Sequence, residues 1–205
     1  MLRTDSDKKL DEFKKYSNIP IINGLSPSSH PTQVLSDIFT IQEIKKKSIS
    51  KLKLCWIGDA NNNMMNSLIE ACIKFFITLN IACPKKYQPN KALISLIKKQ
   101  KGKIKIFNKK ERAIKNSDVV MTDKIISLND KVNKKKKLNS FKNFKVDIKT
   151  MNLAKKDAIF LHCLPRGSEV TEEVFLGKKS KVWQQALNRV YVQKSILLYC
   201  FGKLR

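Results

Sequence analysis

From residue 51 onward the chain alternates short apolar runs with longer stretches of helical spacing, and this rhythm constrains the fold more than any other feature. The runs 52–57, 80–83, 104–107, 119–121 and 158–161 have the length and content of strands. The segments between them predict helices over 64–79, 90–101, 109–116 and 130–142, with a last helix over 183–200. Strands separated by helices pair in parallel, because the crossover returns the chain to the same end of the sheet. The expected fold class is α/β, a doubly wound parallel sheet with helices on both faces.

Upstream the pattern is looser. Residues 1–19 read as the remnant of a strand and a short helix, and 20–22 as a brief strand. Asn23-Gly24 is a turn signal. Ser26, Ser28 and Ser29 offer N-cap chemistry before a helix over 30–47, whose Val34, Leu35, Ile38 and Ile41 follow helical spacing.

Charge and cysteines exclude some classes of function. The formal net charge of +25 suggests nucleic acid, but only five of the 42 basic residues are arginine. Sites that read phosphates and bases favour the planar arginine fork. Lysine is spread along the whole chain, and no aromatic platform interleaves with the run at Lys134–Lys137, which reads as a solvated helix face. No nucleic-acid partner is therefore expected. No run approaches the roughly 18 apolar residues of a membrane span, and the N-terminus lacks the apolar stretch of a secretory signal. Cys55, Cys72, Cys83, Cys163 and Cys200 are odd in number and form no CxxC pair. That spacing fits neither a disulfide framework nor a zinc site and points to a reducing, cytoplasmic setting, with Cys55 and Cys72 as core residues.

The chemistry gathers at strand ends. In a parallel sheet every strand's carboxyl end opens on one edge. Asp59-Ala60-Asn61-Asn62, Thr122-Asp123 and His162-Cys163-Leu164 should converge there from distant parts of the sequence. HCLPRG, at 162–167, brings an imidazole, a thiol, a proline and a guanidinium to the end of a buried strand. Amides, a carboxylate and a thiol together suit a small zwitterionic substrate. The loop GDANNN has neither the GxGxxG spacing of a dinucleotide site nor the GK[ST] of a P-loop. Separately, His30 and Gln33 stand one turn apart at a helix start, where free N–H groups and the dipole favour an anion.

These segments resemble the aspartate/ornithine carbamoyltransferase family, in its ornithine branch. The likeness lies in IPIINGLSPSSHPTQVLSDIFTIQE (19–43), LCWIGDANNNMMNSL (54–68), VVMTD (119–123), FLHCLPRGSEVTEEVF (160–175) and VWQQALNRVYVQKSILL (182–198). The resemblance implies carbamoyl transfer from carbamoyl phosphate to the side-chain amine of L-ornithine, giving L-citrulline and phosphate, with no metal and no cofactor. It implies a carbamoyl-phosphate group of Arg3, His30, Gln33, Cys163, Leu164 and Arg189. It implies an ornithine group of Asn62, Asp123, Ser127 and Leu128, with Cys163, Asp123, His30 and Arg3 as catalytic residues. It also divides the chain into a remnant of the carbamoyl-phosphate domain (1–29), an interdomain helix (30–47), the ornithine-binding domain (48–182) and a returning C-terminal helix (183–205).

The departures shape the expectation. The family's Ser-Thr-Arg-Thr phosphate motif does not occur in these residues, and the ornithine loop reads Lys124-Ile125-Ile126-Ser127-Leu128-Asn129 in place of the family's Thr-Trp-x-Ser-Met-Gly. The chain is expected to be a truncated or split enzyme, inactive alone, which works as a homo-oligomer (a trimer in the family) or with a partner chain supplying the missing domain. The alternative is a catalytically inactive remnant that binds an amino acid or takes part in assembly.

Overall fold

A computed structural model describes residues 1–126 and 133–203. Its centre is a five-stranded parallel sheet of β3 (Lys53–Ile57), β4 (Thr78–Ala82), β5 (Ile104–Phe107), β6 (Val119–Thr122) and β7 (Ile159–His162), in the order β5-β4-β3-β6-β7. A separate two-stranded parallel pair joins β1 (Leu2–Arg3) to β2 (Asn23–Leu25).

The strands are apolar because both faces are covered. Alternate residues feed two cores. Leu54, Trp56, Leu79, Ile81, Val119 and Leu161 point to one face. They meet α2 (Pro31–Lys45), α3 (Asn63–Lys74) and α4 (Lys91–Lys99). Cys55, Ile57, Val120 and Phe160 point to the other. There they meet α5 (Lys110–Ile114), α7 (Ile148–Met151) and α8 (Glu172–Leu176). Each large side chain buried completely, such as Trp56 or Phe160, contributes roughly 2–3 kcal/mol. α1 (Asp7–Tyr16) follows β1, α6 (Lys134–Ser140) precedes Phe141, and α9 (Val182–Cys200) lies along α2. Polar side chains start several helices: Asn62, Asn90, Asn133 and Asp147 each accept a backbone N–H from the first turn.

Five sequence expectations are corrected. Asn23-Gly24 is not a turn but half of β2, paired to β1. Residues 20–22 are not a strand, although the Ile22 carbonyl accepts the Leu2 N–H. No serine caps α2; His30 holds the N-cap position and Pro31 the first turn. Helix α3 stops at Lys74 because Phe76 turns left-handed at φ 56°, releasing Ile77 and Leu79 to the sheet side of the core. The lysine run is the fifth: Lys134, Lys135 and Lys136 are exposed as expected, but Lys137 is buried against Asp59.

Strand order positions the site. The chain leaves β3 for β4 and β5, then crosses back to lay β6 and β7 on the other side of β3. The crevice where this direction reverses, between the carboxyl ends of β3 and β6, is where open α/β sheets bind ligands.

Candidate active site

Three loops leave this edge side by side. Gly58 opens the loop after β3 with φ +146°, a conformation that suits glycine, and its N–H donates to the Ala82 carbonyl at 3.0 Å. Asp59 follows, its carboxylate taking the Asn61 N–H at 2.9 Å and Lys137 Nζ at 2.7 Å. Asn62 caps α3, accepting the Met65 N–H at 2.8 Å and donating to the Asp59 carbonyl at 3.2 Å. Its amide is thus largely committed to holding the loop.

Asp123 follows β6. Burial pushes its carboxyl up to about 6; the Lys124 N–H, donating at 2.7 Å, and His162 act against that rise. Thr122 stands opposite His162 in the sheet register, which brings the Asp123 and Cys163 loops together. Burial also drives the Cys163 thiol well above its usual range, and the charges of Asp123 and Asp37 add to the effect. Cys163 is therefore a neutral thiol near neutral pH, 4.0 Å from Met64 Sδ, and not a thiolate nucleophile. Leu164 is exposed beside it and joined to Pro165 by a cis peptide bond.

His162 is buried and faces two acceptors. Nδ1 meets the Cys163 carbonyl, and Nε2 lies 2.8 Å from Glu169 Oε1. Glu169 also accepts the Gly167 N–H at 2.6 Å and the Ile125 N–H at 3.4 Å, so one carboxylate ties the HCLPRG loop to the loop after β6. Burial works to raise Glu169, but the hydrogen bonds from His162 and Gly167 outweigh it and hold the carboxyl below its usual range.

The second group assembles on α2 and α9. The segment before α2 is anchored by α3: His30 N–H donates to Ser67 Oγ at 2.8 Å, and Asn63 and Asn66 donate to the Ser26 and Ser28 carbonyls. Burial lowers His30 to about 4, helped by the charges of Arg189 and Arg3, so its imidazole is neutral, and its buried Nδ1 has no hydrogen-bond partner among the described residues. Arg189 Nη1 donates to Gln33 Oε1 at 3.0 Å. Arg3 and Arg189 wall an open cavity of about 340 Å³ between β1, Gly24 and α9. Arg3, His30, Gln33 and Arg189 are therefore one cluster, and Cys163 is near enough to feel the Arg189 charge. Ser127 and Leu128 lie outside the described residues.

Known proteins bear on this arrangement. Residues 50–200 match the Asp/Orn binding domain of aspartate/ornithine carbamoyltransferase, and residues 1–43 match its carbamoyl-P binding domain.

The chain belongs to the aspartate/ornithine carbamoyltransferase family.

It is 39% identical to the ornithine carbamoyltransferase of Methanocorpusculum labreanum over 200 residues, covering 97% of this chain and 65% of that protein. It is 42% identical to that of Caldicellulosiruptor saccharolyticus over 212 residues, covering 100% of this chain and 68% of the relative. The crystal structure of the anabolic ornithine carbamoyltransferase of Campylobacter jejuni superimposes with a TM-score of 0.90 at 39% identity, covering 98% and 68%. That of Thermus thermophilus gives 0.84 at 30%, covering 97% and 64%. The chain thus spans about two thirds of the length of these carbamoyltransferases.

Three residues of the site were not read from the sequence. Asp37 is one turn after Gln33, and Gln185 one turn before Arg189, so helical spacing marks both as sharing a face with a residue already singled out. Glu169 carries no such periodic signal; only the fold returns it to His162.

Proposed function

We propose that this chain supplies the ornithine-binding part of a carbamoyltransferase site, and that the reaction is transfer of the carbamoyl group of carbamoyl phosphate to the side-chain amine of L-ornithine. The supporting observation is the placement of a half-buried Asp123 near a neutral Cys163 thiol, which also lies within reach of the Arg189 charge in the Arg3–His30–Gln33–Arg189 cluster. Asp123, with Asn62 and the Ser127 and Leu128 positions, receives the amino acid, and the carboxylate of Asp123 holds an ammonium group. The cationic cluster receives the phosphate end of carbamoyl phosphate.

The side-chain ammonium of ornithine first loses a proton, which this reading passes to Asp123 as base. The neutral nitrogen attacks the carbonyl carbon, forming the C–N bond and a tetrahedral oxyanion. The neutral His30 imidazole and the Gln33 amide orient the carbamoyl group, while Arg3 and Arg189 offset charge on the oxyanion and phosphate. The C–O bond to phosphate then breaks, and the second amine proton leaves with the departing phosphate. Cys163 contributes a polar wall that neither attacks nor carries charge. Most of the acceleration on this reading comes from holding two substrates in contact.

Calorimetry of the 205-residue chain with ornithine and with norvaline tests the pocket. A citrulline assay, with the chain alone and mixed with a polypeptide carrying the Ser-Thr-Arg-Thr phosphate segment, tests the chemistry. Heat with both amino acids and citrulline in the mixture are expected. Heat without citrulline would reduce the function to amino-acid binding, and silence in every arm would overturn both.

A further inference from the structure

Asp37 is costly where it stands. It lies in the middle of α2, fully buried, and both hydrogen bonds that its Oδ1 accepts come from neutral amides. Its Oδ2 has no hydrogen-bond partner among the described residues. An unpaired carboxylate in such a place works against folding, and an apolar side chain of similar volume would fill the position more cheaply.

Its Oδ1, however, accepts two hydrogen bonds, from Gln33 Nε2 at 2.8 Å and from Gln185 Nε2 at 2.7 Å. A carboxamide has a donating end and an accepting end, and a carboxylate only accepts. Both glutamines must therefore turn their NH₂ groups toward Asp37 and their oxygens away. The Gln33 oxygen then takes Arg189 Nη1 at 3.0 Å. The Gln185 oxygen takes the backbone N–H of His162 at 2.9 Å, the residue immediately before Cys163. One buried oxygen fixes the polarity of two amides, and through them the guanidinium on α9 and the end of β7.

We propose that Asp37 is a positioning residue that sets the orientation of the Gln33 and Gln185 amides and so holds Arg189 in register with the Cys163 strand end. The proposal rests on the reading that Gln33, Arg189 and Cys163 serve one substrate site. It assigns the work to the shared oxygen and not to the negative charge.

Two variants separate these. Asp37→Asn keeps an oxygen at the Oδ1 position and puts its NH₂ where Oδ2 has no partner. Asp37→Leu removes the acceptor altogether. By calorimetry, carbamoyl phosphate and norvaline should bind D37N within about threefold of the wild type, whereas D37L should lose tenfold or more. The His162 backbone N–H, followed by amide hydrogen exchange, should stay protected in D37N and lose protection in D37L. Wild-type affinity and His162 protection in a folded D37L would overturn the proposal. A tenfold loss in D37N would also overturn it, by showing that the charge acts; this arm decides if D37L does not fold. If the wild type binds neither ligand, the substrate reading fails, and His162 exchange still decides the role of Asp37: protection lost only in D37L supports it, and equal protection in all three proteins overturns it.

Discussion

Lys137 Nζ lies 2.7 Å from Asp59 Oδ2, and both side chains are buried. The ammonium also sits 5.6 Å from the centre of the Tyr87 ring. A residue in a run of four lysines is thus a strut between α6 and the loop that follows β3 at the crevice. Lys137→Met should cost about 3 kcal/mol, since it strands the Asp59 carboxylate in the interior. Lys134→Gln, Lys135→Gln and Lys136→Gln should each change stability by less than about 0.5 kcal/mol. Urea unfolding of the four variants checks the contrast.

Asp37 makes folding stability depend on pH. Burial lifts its carboxyl from 3.8 to about 6, against hydrogen bonds from Gln185 and Gln33 that lower it. A carboxyl with a higher pKa in the folded state stabilises the fold while protonated, and that contribution is lost as pH rises through about 6. D37N lacks the titration. The stability of D37N relative to the wild type should therefore rise by about 2 kcal/mol between pH 4 and pH 7. Paired denaturation curves at the two pH values measure it, and no change would contradict the assignment.

Asp123 should make ligand binding depend on pH in the opposite sense. Its carboxyl is raised to about 6, so the negative charge proposed to hold an ammonium is present above that pH and disappears below it. Norvaline affinity should be flat from pH 8 to pH 7 and fall about tenfold for each unit below pH 6, where one proton must be displaced on binding. In Asp123→Asn the affinity should be low and the inflection near pH 6 absent.

Cys163 should be chemically quiet. With its thiol held well above the ordinary range by burial, alkylation by iodoacetamide at pH 7.5 should run at least tenfold slower than that of free cysteine. Peptide mapping after timed labelling reads the rate at this residue alone.

Gly58→Ala tests the turn into the crevice. The glycine has φ +146°, and an added Cβ would lie 3.2 Å from Thr122 Oγ1. The substitution should cost about 1–3 kcal/mol. Pairing it with Thr122→Ala should recover only the steric part, because the backbone strain remains. Thermal unfolding of both proteins checks this.

The sheet was legible in the sequence because its strands are buried on both faces and read as plain apolar runs. The strand at Ile104–Phe107 falls where the pattern put it, and the ends of β3, β6 and β7 converge as the βα rhythm required. The boundary of α3 was not legible, because Ile77 and Leu79 extend the apolar content of the helix until Phe76 breaks its direction. The polar contact between α2 and α9 was hidden for a different reason. Apolar spacing at Val34, Ile38 and Ile41 marks one face of α2, while its other buried face carries Gln33, Asp37 and Thr40, which periodicity assigns to solvent. Leu35 shows the converse, an apolar residue left partly exposed. Lys137 and Asp59 are similar: composition describes a charge, and only tertiary structure says which charge is dry.

Beyond Val182 in its first turn, the buried positions of α9 are amides in place of aliphatic groups: Gln185 meets Asp37, and Asn188 meets Thr40 and Glu43. An oily seam between two helices can slide or rotate by small amounts at little cost. A seam of donors and acceptors matches in only one alignment. The C-terminal helix thus acts as a ruler, and its single turn from Gln185 to Arg189, about 6 Å of axial rise, is the graduation that sets how far the guanidinium stands from the end of the sheet.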